Sequence, residues 1–452
     1  MALPRPAGRP VVAAVALALA ITAGAVVGGS EDGPDRPSPY VDVAPDAALR
    51  GADLSRGVEA LQSRLRARPT DFGAWATLGT AYVEQARTQG DPSRYREADR
   101  ALDRSLELRP GNDAGLAGRA ALAAARHDFP GALRAAEAAL DVNRYNAGAL
   151  ASRIDALVEL GRYEAAARAA DEADARRPGV PVFTRYAYVR ELRGDVAGAR
   201  RALSRAVGPG AGAGDAAYVA TALGQLAWRQ GEFGEALKQC GKALRADASY
   251  LPALECRARA WAGQGDTGRA IRELREVVAR SALPGPLVAL GELYEARGRP
   301  GDRAKAREQY ALVSAWVALA RANGVNADLD AAVALTDHGD RAERKAALRA
   351  AKAEWQRRHT VHTADALAWA LHVDGRSDEA LVYARRATAT GFREASFLYH
   401  RGAIEGAVGN AAAARRWSAA ALELNPGFSP TGAKAAKAAV AAAAKAAKGQ
   451  AS

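Results

Sequence analysis

The sequence predicts an all-α solenoid of about ten antiparallel helix pairs over residues 49–430. Three observations carry that expectation. Trp75, Leu78 and Tyr82 stand three or four residues apart and share a helix face, with Gly79 beside them where a missing Cβ admits a second helix. Ala98, Leu102, Ser105, Leu106 and Leu108 then form a second apolar stretch, which Pro110 ends. The pattern recurs about ten times, and an array of 452 residues built this way needs no second core, because it grows by stacking.

The elements follow in order. Asp53 to Arg68 carries Leu54, Val58, Leu61 and Leu65 on one face, a lone leading helix. The first pair (72–112) holds extra residues, Thr88 to Arg94, between its helices. The next three turn near Phe129, at Gly161-Arg-Tyr163 and at Gly194-Asp195, and the glycines of 208–214 make the loosest link of the array. The fifth and sixth turn at Gly231 and Gly265. The seventh has a long second helix from about Asp302 to Asn323, capped by Gly324. Arg303 and, in the eighth, Arg344 occupy slots where a small residue is expected. The ninth and tenth turn at Gly375 and Gly409 and close on Leu424-Asn-Pro426. Gly79, Ala120, Ala187, Gly224, Ala258, Gly291, Ala368 and Gly402 mark the crossings, faced by Ala98, Ala132, Ala166, Ala199, Ala236, Ala270, Ala380 and Ala414.

Trp75-Ala-Thr-Leu78-Gly79-Thr-Ala-Tyr82 is the opening motif of a tetratricopeptide repeat, and the chain resembles that superfamily over nearly all of 50–430. The resemblance implies a right-handed α-solenoid, a non-catalytic binding role and a concave surface lined by the first helix of each pair. It is closest in kind to exported bacterial members, which imply no particular activity.

Arg5 and Arg9 precede an apolar run, Val11 to Val27, so residues 1–30 read as a targeting segment. Ala23-Gly24-Ala25 offers a cleavage site, favouring a signal peptide, while the run counted to Gly29 approaches a retained anchor. Residues 31–48, rich in Pro and Asp, read as a flexible linker, placing the array outside the cytoplasm at the cell envelope.

No catalytic signature is present: no G-x-S-x-G, no P-loop, no H-E-x-x-H and no C-x-x-C. No cofactor is expected. His359 and His362 are a weak metal pair, because His362 and His372 would lie about 15 Å apart on a straight helix. The inward face implied by the resemblance carries Tyr188, Glu191, Gln225, Trp228, Arg229, Glu255, Arg259, Glu292, Glu295, Asp337, His362, Asp365, Trp369, His372 and Tyr399. Its densest stripe is His362, Asp365, Trp369 and His372. Trp369 is either a recognition residue or part of the inter-repeat core.

Cys240 and Cys256 are the only cysteines; they lie at similar heights on neighbouring helices, as a disulfide or, by default, two buried thiols. Residues 431–452 place Lys434, Lys437, Lys445 and Lys448 on one helical stripe, a capping helix or an anion-binding tail. The net charge of +12 keeps a polyanionic partner in view, although most Arg have nearby acids. The leading expectation is an envelope scaffold binding a protein or peptide, with specific nucleic-acid binding not expected. The alternatives are a polyanion- or membrane-surface binder through the tail, and a solute- or metal-binding accessory using the histidines of 359–372.

Overall fold

The computed structural model describes residues 54–89, 91–206 and 212–449. The targeting segment, the 31–48 linker and the 207–211 part of the glycine link lie outside them. All regular structure among the described residues is helical. A lone helix, α1 (Leu54–Ala67), leads into α2 (Phe72–Gln89) and α3 (Arg94–Leu108). The pairs α4 (Asp113–Ala125) with α5 (Phe129–Val142), α6 (Ala147–Glu159) with α7 (Tyr163–Arg176) and α8 (Val180–Leu192) with α9 (Val196–Arg205) follow. Next come α10 (Ala213–Arg229) with α11 (Phe233–Ala246), α12 (Leu251–Gly263) with α13 (Thr267–Arg280) and α14 (Pro284–Arg297) with α15 (Asp302–Ala322). The last pairs are α16 (Asp328–His338) with α17 (Arg341–Arg357), α18 (Val361–Val373) with α19 (Ser377–Ala387) and α20 (Ala395–Ala407) with α21 (Ala411–Leu424). A single helix, α22 (Pro430–Gly449), ends the array. These are ten antiparallel pairs, a right-handed α-solenoid.

Each pair closes where small residues cross. A Cβ built on Gly79 would lie 2.5 Å from Leu102 Cγ and 3.3 Å from the Ala98 carbonyl. Ala98, Ala132, Ala166, Ala236 and Ala270 are fully buried. The hairpin turns share one local solution. Gly194 and Gly265 take φ of +81° and +87°, and the next residue, Asp195 or Asp266, caps the following helix by accepting from Gly198 N or Arg269 N.

Four expectations need correction. Arg303 and Arg344 are exposed, and the crossing slots three residues later are taken by Ala306 (1% exposed) and Ala347 (0%). The turn of the seventh repeat, 298–301, is longer than that of the sixth, 264–266, and the turn of the eighth, 339–340, is shorter, so in both the second helix meets the first in a shifted register. In the first repeat α2 runs on to Gln89, so part of the expected 88–94 loop is helix. Likewise α10 begins at Ala213, inside the expected glycine link. Finally, the default of two free thiols fails: Cys240 on α11 and Cys256 on α12 form a disulfide with Cα atoms 6.1 Å apart. Gly224 makes room for it, since a Cβ there would lie 2.6 and 2.8 Å from the two Sγ atoms.

The solenoid winds tightly enough for its second turn to rest on its first. His127 Nδ1 lies 2.6 Å from the Asn326 carbonyl, 199 residues away. Val361 N donates to Tyr163 Oη at a separation of 198, and Asn425 Nδ2 to the Trp228 carbonyl at 197. The turns of repeats two to five thus sit on the junctions that follow repeats seven to ten. Gly161, Gly194 and Gly231, all at positive φ, meet those junctions backbone to backbone, where a Cβ would fall 2.4, 2.8 and 2.6 Å from the carbonyls of His359, Gly391 and Leu424. One apolar core accordingly joins residues such as Leu157, Val158 and Leu192 of the first turn to Val361, Phe392 and Phe397 of the second. At its centre Arg358, 3% exposed, is bound by Glu159 from the first turn and Glu354 from the second. The guanidinium lies over the Phe129 ring, 4.7 Å from its centroid.

Gly79→Leu or Ala236→Leu should destabilise by about 1–3 kcal/mol, because added methylenes intrude where helices touch; urea unfolding measures it. Arg358→Ala should cost about 3–5 kcal/mol, since it strands two buried carboxylates. Hydrogen exchange in that variant should rise first along the junctions at 326, 359 and 391, and uniform exchange would argue that Arg358 does not hold the turns together.

Candidate functional site

The residues expected to line one open concave groove divide into two environments. Those of the first turn are covered. Tyr188, 9% exposed, bonds through Oη to His362 Nε2 at 2.8 Å, so α8 and α18 meet across the inter-turn contact. Burial holds the His362 pKa down to about 4, with Arg358 and Arg229 adding to the effect, and burial also raises that of Tyr188 well above its ordinary value. Arg229 is engaged bidentately by Glu191, at 2.6 and 2.8 Å, and Asp155 and Arg185 form a similar buried pair at 3.0 to 3.1 Å. Trp228 and Gln225 are half-buried. Arg259 lies 5.6 Å from the Trp228 ring centroid and bonds Glu255. The expectation of one groove running through all these positions is corrected: superhelical closure buries Tyr188 and Glu191, while Gln225, Trp228, Arg229 and Arg259 stay half-buried.

The second turn keeps an inner face. The first helices α14, α16, α18 and α20 are neighbours in sequence of repeats, and α22 touches both α14 and α20, closing them into a ring. Glu292 on α14 fastens this closure by accepting from Ser429 Oγ at 3.0 Å and Thr431 Oγ1 at 3.1 Å. Ser429 in turn accepts from Gly432 N, capping α22, and Phe428 packs 5.7 Å from Tyr399. Ala436 is fully buried while Lys434 and Lys437 are exposed.

Around Trp369 this face gathers rings and acids. The half-buried indole stacks on His400 (4.1 Å, 14°) and His372 (5.0 Å, 29°), with Tyr399 tilted against it at 5.7 Å. Its Nε1 donates to Oδ1 of the exposed Asp337 at 2.7 Å. Asp365 is buried and bonds His400 Nδ1 at 2.9 Å. Burial opposes the charged form of His400, but Asp365 outweighs it and the pKa rises. His372, bonded to Ser377 Oγ at 2.9 Å, goes the other way through burial and the nearby His400. On the neighbouring repeats His338 stacks on Tyr310 (4.1 Å, 13°) and lies 3.5 Å from Glu292, whose charge overcomes burial and raises the imidazole pKa. Glu295 is exposed at the end of α14.

Trp369 is therefore packed through its faces yet half-exposed. His400 carries the cluster's ion pair but was not among the expected lining residues. It stands 35 residues from Asp365, about one repeat, and positions one repeat apart on first helices are neighbours. The histidines do not form a metal centre. His359 packs edge-on against Trp355 and His362 turns to Tyr188, and no three His, Cys, Asp or Glu side chains converge for a metal among the described residues.

The His400–Asp365 pair sets a pH dependence. The folded imidazole lies above its ordinary 6.5, so its stabilisation is complete below that value and is lost as pH rises through the folded pKa. Asp365→Asn should therefore destabilise more at about pH 5.5 than at about pH 8.5 in urea titrations. An equal loss at both would mean that His400 is neutral in the fold.

No family model and no curated protein sequence matches the chain. Among solved structures it is similar to a tetratricopeptide repeat protein from Parabacteroides merdae, at 19% identity over 50% of this chain and 87% of that one, TM-score 0.38. It is also similar to a monomeric IFIT1 mutant with Gppp-AAAA, at 16% identity over 74% of this chain and 76% of that one, TM-score 0.46. A human IFIT1 dimer with PPP-AAAA matches at 15% identity over 74% and 78%, TM-score 0.45. These likenesses concern the fold alone. With its ten helix pairs and the Trp75–Tyr82 motif, the chain has the fold of the tetratricopeptide-repeat type.

Proposed function

We propose that this chain is a non-catalytic scaffold at the cell envelope that binds a protein or peptide partner on the inner face of its second superhelical turn. The observation that carries the reading is the half-exposed Trp369, fixed by two imidazoles and Asp337 and flanked by Tyr399. A rigid aromatic group set among polar neighbours is how recognition surfaces concentrate binding energy. Tyr188 and Glu159 of the first turn are spent on holding the two turns together, while this face keeps Asp337 and Glu295 exposed. Export is supported by the basic and apolar start, Arg5 to Val27, and by the Cys240–Cys256 bridge, since structural disulfides persist in oxidising compartments. No helix among the described residues is long and apolar enough to cross a membrane.

The docking of α22 favours the capping role of the C-terminal segment, and exposed Lys434 and Lys437 are the part of it offered to a polyanion or membrane surface. Affinity capture from envelope extract with the mature array tests the main reading. Trp369→Ala should reduce retention of the captured partner by at least about 2 kcal/mol while the thermal melt stays cooperative. Retention that is unchanged by Trp369→Ala, or abolished by modest salt alone, would move the contact to the lysine-bearing helix.

A further inference from the structure

We infer that the partner segment held on this inner face is basic, presenting a lysine or arginine side chain to Asp337 and Glu295 beside Trp369 and Tyr399. The inference rests on the binding surface proposed above and adds the chemistry of its occupant.

The first support is the distribution of charge. In a chain with a net charge of +12, α16 and α18 contain no Lys or Arg at all. They carry Asp328, Asp330, Asp337 and Asp365 instead. The second support is how the acids are used. Asp365 is committed to His400, and Glu292 to Ser429, Thr431 and His338. Asp337 and Glu295 are both exposed and neither has a salt bridge among the described residues. Arg344 comes near but donates to the backbone carbonyl of Asp337. Asp337 offers its carboxylate with one oxygen already tied to the indole, so its direction is fixed before any ligand arrives.

The third support is electrostatic reach. The charge of Asp337 also reaches Tyr310, His338, His372, Tyr399 and His400, aromatic groups drawn from four repeats. Aromatic rings and unpaired carboxylates together favour a cation, the rings through their electron-rich faces and the acids through charge-assisted hydrogen bonds. An acidic segment would meet repulsion here, and a purely apolar one would bury Asp337 and Glu295 without a partner.

Selection from a random-sequence peptide phage library on the folded array, followed by calorimetry with the enriched synthetic peptides, tests the inference. Enriched peptides should carry Lys or Arg. Asp337→Asn combined with Glu295→Gln should weaken their binding at least about ten-fold, with the melt unchanged. Enrichment of neutral or acidic peptides that still depend on Trp369 overturns the inference and leaves the surface standing. Basic peptides whose affinity ignores Asp337, Glu295 and Trp369 overturn the surface together with the inference, as does the absence of any enrichment over the bare support.

Discussion

The structure depends on a close backbone approach between successive superhelical turns. Three hairpin turns reach the junctions beneath them only because Gly161, Gly194 and Gly231 have no Cβ and take positive φ. In the fourth, His127 accepts the same left-handed conformation at φ +61° and bonds the opposing carbonyl through its ring. Turn glycines further along, Gly265, Gly375 and Gly409, have the same conformation with open space around them. Local chain geometry is therefore the same in these turns, and the contact that closes the superhelix arises from where each turn falls in the winding.

Closure decides what the inner residues do. A side chain on the first helix of repeat three or four faces another part of the same protein, so charges there must be paired within the chain. Glu159 with Arg358, Asp155 with Arg185 and Glu191 with Arg229 are the outcome. Such pairs add little net stability against a hydrophobic replacement, but they penalise any winding that leaves one member alone. Among the described residues no further turn covers the second, and its inner face keeps Asp337, Glu295, Trp369 and Tyr399 at least partly in contact with solvent.

The helix pairs are legible in the sequence because their rules are local. Small residues at crossings, a glycine followed by Asp at a turn and a closing Pro all act within one repeat, as Gly194-Asp195 and Gly265-Asp266 show. Arg303 and Arg344 misled because turns of another length shift the facing helix, and only the packing reveals that Ala306 and Ala347 fill the crossings. The composition of the inner face was legible but its fate was not. Whether Tyr188 and His362 meet solvent or each other depends on a winding that returns after nearly two hundred residues, and no short-range pattern encodes that return. The cysteine pair sits between these cases: its height along the helices could be counted, but the direction of the side chains could not.

The spacing of the inter-turn contacts also bears on how the chain comes to be folded. Synthesis delivers residues in order, and Glu159 precedes Arg358 by 199 positions. Repeats one to five are therefore complete, each stacked on its neighbour, while the surface destined for the second turn is still wet and Glu159 lacks its partner Arg358. Contacts of such long range form late and slowly, because the entropy of closing the intervening chain is lost before they repay it. The half-built superhelix thus has an interval in which the inner faces of Leu157, Tyr188 and Leu192 are open to other proteins.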